Sequence, residues 1–411
     1  MSALQLRATA ALCLVLALPG SAIAQDEGPA ATTKRQTAKA DLLDAAYVPG
    51  LQSIVVTGHH GVVGQIKVSE NVAKLELLDP HPEEDFTCLD AITDNTVLIG
   101  SATGKVYSYD GKSMSLLASL SEFNEPVLDI GHDGADIWVV GARGLVAHST
   151  DGKKFDAVEI KGIQQPLATF PAGQPADWYL GVSNIDADSV QFNATVGGKP
   201  AVKDTDYTLY ADEGFVQVAT QLDETPAPTI TFKFSPGPPF RLGDVSWNVV
   251  QVANGRVTIA GEFGMILQTS DDGKSWVRRD TRIVPHEPEP AYWLAGTSKG
   301  NDLWLVGAAG ISEVSHDNGE NWEDNPAPGR EGIFGITINN DGKALIAGAV
   351  GLIGVLDGKQ WKLADRTQLS LLSWLKTPVP MPDGSILVIG GRATAIRYNK
   401  DGSWTRVPVE M

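Results

Sequence analysis

Seven times along this chain a short apolar strand runs into a glycine turn of Gly-x-x-Gly type. The instances are 54–58 through Gly61, 97–100 through Gly104, 137–141 through Gly144, 257–261 through Gly264, 303–307 through Gly310, 344–348 through Gly351, and 386–390 through Ala393. The first glycines fall 42, 41, 120, 46, 41 and 42 residues apart. A four-stranded propeller blade takes about 40–50 residues, so this period predicts an all-β, seven-bladed β-propeller.

The rest of each repeat agrees. After the glycine turn come an alternating segment, an Asp-Gly or Asn-Gly pair and an aromatic: Gly152 with Phe155, Gly273 with Trp276, Gly319 with Trp322, Gly358 with Trp361, and Gly402 with Trp404. Such pairs tolerate the positive φ of tight hairpins, so each closes two antiparallel strands. The aromatic that follows is expected to pack against the next blade. Long helical periodicity is absent.

Two of these turns are sharper. Thr269–Trp276 reads S/T-x-D-x-G-x-S/T-W, and Ser315–Trp322 departs from it only at Asn321. Both resemble the Asp-box, or BNR repeat, which lies between the third and fourth strands of a blade. In that motif Asp271 and Asp317 accept local N–H bonds, Gly273 and Gly319 take the tight turn, and Trp276 and Trp322 anchor it. These are structural assignments.

Between Gly141 and Gly261 the chain runs about 80 residues beyond one period. The excess, residues 164–240, holds four alternating β-rich segments and leaves through the Pro-rich stretch 235–239. It predicts a small β-sandwich-like insert between blades 1–3 (41–163) and blades 4–7 (241–411). Asp177-Trp178-Tyr179-Leu180-Gly181 echoes a blade strand, so an eight-bladed ring with a shorter insert is the alternative. No Gly-x-x-Gly turn follows Gly181, which favours seven.

Arg7, the apolar run 8–18 and the triplet Ala22-Ile23-Ala24 form the n-region, h-region and cleavage site of a secretory signal peptide, residues 1–24, cut after Ala24. The run is too short to span a bilayer, which takes about 20 apolar residues. Residues 25–40 read as a flexible leader, and a periplasmic or secreted protein is expected. Cleavage removes one basic residue and no acid, leaving 31 basic against 50 acidic residues and a net charge of −19. That charge disfavours nucleic acid and anionic lipid as partners. Cys88 is then the only cysteine, so no internal disulfide can form.

Signal peptide, seven repeats near 42 residues, G-x-x-G turns and weak BNR boxes together resemble the photosynthesis system II assembly factor family, the Ycf48 and Hcf136-like propellers. The resemblance covers the repeats of 41–411 but not the insert. It implies a non-enzymatic scaffold or accessory factor that binds a protein partner in a membrane complex. In the photosynthetic lineage that is a photosystem II precursor; bacterial relatives without a photosystem are associated with RND-type exporters. Family likeness carries fold further than function.

Signatures of chemistry fail. Sialidases share the Asp-box, but their arginine triad and Tyr–Glu pair have no recognisable counterpart. Arg282-Ile283-Val284-Pro285 follows a box rather than preceding one, and Glu287, Glu289 and Tyr292 form no pattern. Gly273-Lys274-Ser275 lacks the earlier glycine of a phosphate loop. Adjacent histidines His59 and His60 point to opposite sides of an extended chain, which argues against a metal site. Glu83-Glu84-Asp85 reads as a solvated loop. No enzyme activity, cofactor or metal is expected.

Topology offers one sharper expectation. Glycine turns and Asp-Gly turns join different strand pairs and lie on opposite faces, so the residues inside the glycine turns ring one face. His60, Arg143, Glu262, Phe263 and Arg392 are the candidate partner-binding residues there, Arg and aromatics being enriched at binding hot spots. A carbohydrate or lipid-like ligand in the central cleft is the alternative function.

Overall fold

In the computed structural model the described residues are 41–69, 72–78, 84–235, 245–280, 284–285 and 292–410. The signal peptide, the leader, the insert's exit, and Glu83, Arg282, Glu287 and Glu289 lie outside them. Among the described residues the chain forms seven four-stranded antiparallel meanders. Their first strands are Leu42–Val48, Phe86–Thr93, Val127–Asp133, Trp247–Ala253, Trp293–Lys299, Ile333–Ile338 and Leu375–Pro380. Each first strand packs against the next, and that of meander 7 packs against that of meander 1.

The alternation of the strands explains this stacking. Each meander presents apolar side chains on both faces, and these fill a cluster between it and its neighbour. Val55, Phe86 and Ile99 meet between meanders 1 and 2, Leu98, Val127 and Val139 between 2 and 3, and Ile54, Leu387 and Ile389 between 7 and 1. A C-terminal strand, Val409–Glu410, adds in parallel to Ala73–Leu77 at the outer edge of meander 1. The last residues thereby tie the end of the chain to its first sheet.

The insert joins meander 4. Ile163–Thr169 pairs in parallel with the outer strand Val277–Arg278 and continues through Thr229–Phe234 and Ile185–Asn193, making one seven-stranded sheet. A second sheet runs Tyr207–Tyr210, Phe215–Val218, Ala176–Tyr179 and Val284–Pro285. Phe170, Trp178, Val216, Ile230 and Phe232 are buried in a cluster shared with Trp138 of meander 3 and Trp276 of meander 4. The segment around Trp178, the candidate eighth-blade strand, therefore sits inside the insert.

The aromatics that follow the Asp-Gly turns differ from expectation in one respect. Trp276 packs edge-on against Trp138 at 6.2 Å, on the preceding meander rather than the next, and Trp361 meets Trp304 the same way. Each turn folds back over the sheet before it because its strand is the outermost and the sheets are twisted.

Candidate functional site: the glycine-turn face

The first glycine of each turn is dictated by a close approach. A Cβ on Gly141, Gly261, Gly307, Gly348 or Gly390 would lie 2.2, 2.0, 2.0, 2.2 or 2.3 Å from the carbonyl oxygen that precedes the neighbouring first strand. That oxygen also accepts the next N–H in the turn, for example Pro126 O from Ala142 N at 3.0 Å and Tyr292 O from Ala308 N at 3.0 Å. Glycine turn and first strand are thus clamped together.

Inside the turn, Leu145 N donates to Ala142 O, Met265 N to Glu262 O and Leu352 N to Ala349 O. The two central residues are left-handed, which defines a type I′ turn. The second is glycine at Gly61, Gly144, Gly264, Gly310 and Gly351. The first is not: His60 (φ 58°), Arg143 (55°), Phe263 (59°), Ala309 (55°), Val350 (52°) and Arg392 (55°) all occupy the left-handed region. An L-residue there costs roughly 1–2 kcal/mol, and a β-branched valine is an outlier. Asn-Gly would make the same turn without that strain.

All six of these side chains are exposed. Phe263 is 47% and Val350 62% accessible, and the loops that enter the next first strands at the same ends carry Phe123 at 77% and Leu372 at 94%. Half of the exposed large apolar residues among those described therefore lie on this one face. Phe123 and Leu372 escaped the sequence reading because inter-blade loops carry no repeat; the available signal was an apolar residue within Ser121–Glu125.

Electrostatics here are mixed. Arg143 Nη1 stands 3.8 Å from Glu125 Oε1, and the Ser121 hydroxyl together with Arg143 holds the Glu125 carboxyl below its usual range. Glu262 accepts the Ser246 N–H at 3.0 Å, so its carboxylate fixes the turn. Phe263 lies 6.0 Å from Tyr292. Arg392 receives support through its backbone, donating to Asp41 Oδ1 at 2.8 Å, while its guanidinium makes no ion pair with any described residue. Arg366 holds the turn of Val350, donating to its carbonyl and to Glu331.

The acidic loop is a correction. Glu84 is 6% exposed and accepts from the Tyr107 hydroxyl at 2.5 Å and the Lys105 ammonium at 3.0 Å. Asp85 accepts the His60 N–H at 2.7 Å and meets His59 Nδ1 at 3.1 Å. The loop anchors meander 2 to the His60 turn and is not a solvated run. His59 and His60 are accordingly turn residues. Among the described residues no group of three metal-ligating side chains occurs, and no helix is long and apolar enough to cross a membrane.

The Asp-boxes occupy the opposite face. Asp271 accepts the Ser275 N–H at 2.9 Å and its hydroxyl at 2.6 Å, which takes its carboxyl down to about 2. Asp317 accepts the Asn321 N–H at 2.9 Å and its side-chain amide at 2.6 Å; Asn321 thus does the work of the usual Ser or Thr. Gly273 and Gly319 have φ of 78° and 82°. The Trp276 and Trp322 indoles donate to the Gly273 and Gly319 carbonyls.

No family model matches this chain, and no curated protein does. Among solved structures it is similar to the WD40 β-propeller domain of Doa1, at 8% identity and a TM-score of 0.54 over 88% of this chain and 93% of that one. It is also similar to YCF48 bound to a D1 peptide, at 12% identity and a TM-score of 0.47 over 77% and 78%. YCF48 from Cyanidioschyzon merolae gives 12% identity and a TM-score of 0.46 over 77% and 82%. The likeness to the Doa1 domain, together with the successive meanders, makes this chain an all-β protein of the β-propeller fold.

Proposed function

We propose that the protein is an exported, non-catalytic seven-bladed propeller that holds a protein partner on its glycine-turn face, as an assembly or accessory factor for a membrane complex. The observation that carries this reading is the left-handed, exposed valine at Val350, with Phe263, Arg143 and Arg392 at equivalent turns. Strained backbone, held in place by the surrounding fold, clusters at functional sites. Arg143 reaches Glu125 at 3.8 Å and Phe263 lies 6.0 Å from Tyr292, but the turn itself needs neither side chain, and asparagine or glycine would serve it better. Phe123 and Leu372 extend the same surface, and aromatic, apolar and arginine groups together match the composition of interface hot spots.

Export by residues 1–24 places the protein with envelope components, and an RND-type exporter is one candidate partner. The test is capture on the tagged mature chain from detergent-solubilised envelope, comparing wild type with Arg143→Glu/Arg392→Glu. Stoichiometric recovery of one membrane complex, lost in the variant, supports the reading. Recovery of nothing by either, or equal recovery by both, overturns it.

A further inference from the structure

We infer that the insert carries a second binding site, for a basic extended segment of a partner protein, at the free edge of the strand Tyr207–Tyr210. That strand ends its sheet; among the described residues only Lys203 bridges to Tyr207, with the Asp204 N–H donating to the Tyr207 carbonyl at 2.7 Å, and no strand pairs beyond the Thr208–Tyr210 part. Tyr179, Phe215 and Tyr210 lie directly opposite one another in register across three adjacent strands. Their rings stack at 5.5 Å (30°) and 4.4 Å (11°). They stand on the face away from the buried Trp178 and Val216, so Tyr210 is the last plate and its outer ring face meets no further aromatic. The parallel row beside them is Asp177, Gln217 and Thr208, in which the Gln217 amide donates to Asp177.

Charge selects the occupant. Residues 164–240 hold nine acidic side chains against three lysines and no arginine. Asp212 and Glu213, exposed in the turn directly after Tyr210, put two carboxylates at the end of the stack. Asp212 also lines a cleft of about 350 Å³ with Asn184, Asp186 and Lys233. An open strand edge accepts an added strand through its main chain. A residue placed opposite Tyr210 continues the stack, and a guanidinium there gains both a ring face and the neighbouring carboxylates. The occupant is therefore an arginine- or lysine-bearing strand and not a neutral glycan.

This site is independent of the glycine-turn face, and the experiment separates the two. Fluorescence anisotropy on the full mature chain would use labelled ten-residue peptides alternating Thr with Arg, Gln or Glu. The Arg peptide is expected to bind and the other two not. Tyr210→Ser and Asp212→Lys/Glu213→Lys should each weaken it by roughly tenfold, Tyr210→Phe should retain it, and Val350→Gly should leave it unchanged. Equal binding of the Gln peptide, no binding of the Arg peptide, indifference to both weakening variants, or loss in Val350→Gly would each overturn the assignment.

Discussion

The Asp129 carboxylate accepts the backbone N–H of Val250 at 2.8 Å, a bond between residues 121 positions apart. Its second oxygen takes the Ile130 N–H at 2.9 Å. This one side chain fastens the first strand of meander 3 to that of meander 4 across the whole insert. Asp44 does the same at the junction of the chain's ends, accepting the Leu89 N–H at 2.8 Å and the Thr377 hydroxyl at 3.0 Å. Meanders 7, 1 and 2 meet at that carboxylate. The insert can therefore interrupt the repeat without loosening the inner strands, because the junction is made by side chain to backbone and not by the connecting chain.

Burial pushes the Asp129 carboxyl up to about 8, with the neighbouring Asp44 and Asp90 charges adding to it against the pull of its two N–H donors. An unfolded aspartate titrates near 3.9. Between about pH 4 and 8 the folded protein thus holds a proton that the unfolded chain releases, so this group's contribution to stability falls as pH rises through that window. Urea midpoints should decline from pH 5 to 8.5. Asp129→Asn, which keeps a carbonyl acceptor and cannot titrate, should flatten that decline. His132, whose ring meets Asp90 at 2.6 Å, titrates in the same direction in both proteins, so the difference between their slopes isolates Asp129. Identical slopes would show that Asp129 does not hold its proton.

The Asp-box carboxylate has the opposite sign. Asp271 is held down to about 2 by the Ser275 hydroxyl and N–H, so its contribution is present above about pH 4 and is lost as pH falls toward 2. Asp271→Ala should cost on the order of 2 kcal/mol at pH 7, since the Ser275 and Thr269 donors lose a charged acceptor. The deficit should shrink on acidification. Denaturation at pH 7 and pH 3 measures both; an undiminished deficit at pH 3 would mean the loss is one of packing.

Period, turns and strands were legible in the sequence because they are local. Gly-x-x-Gly, Asp-Gly and alternation each follow from backbone geometry within a few residues. Why the first glycine recurs was not legible. Gly307 has extended φ of −164°, which any residue adopts, and the constraint is the Tyr292 carbonyl 2.0 Å from where a Cβ would sit. Tyr292 lies 15 residues back, at the entry to the same meander's first strand, and only the pairing of Trp293 with Gly307 brings it there. The exposed residues inside the turns could be found by counting from that glycine. Phe123 and Leu372 could not, because neither sits at a repeated position; the Asp129 staple recurs at Asp44, opposite the residue before the first glycine, but in two of the seven first strands that is too faint a repeat to read.

It follows that Gly307→Ala should be far more damaging than its conformation suggests. The added methyl must displace the backbone carbonyl that also accepts the Ala308 N–H at 3.0 Å. A loss of about 2–4 kcal/mol is expected, in the range of overpacking with a broken buried hydrogen bond. Gly300→Ala, at a left-handed position with open space around it, should cost only about 1 kcal/mol. Chemical denaturation of the two variants side by side decides it; equal losses would mean that the clamp gives way easily.

The face itself makes a prediction that separates fold from function. Val350 and Phe263 sit at φ of 52° and 59° with side chains 62% and 47% exposed. Glycine at either position relieves the left-handed strain and gives up only the covered part of a largely or half-exposed side chain. Val350→Gly and Phe263→Gly should therefore each leave stability unchanged or raise it by about 0.5–1 kcal/mol, after the added freedom of the unfolded chain is counted. The same variants should capture less of the partner complex, because the side chains they remove are the ones the strain preserves. Melting temperature and partner recovery should move in opposite directions. If stability drops instead, these residues serve the propeller, and the case for the glycine-turn face falls with them.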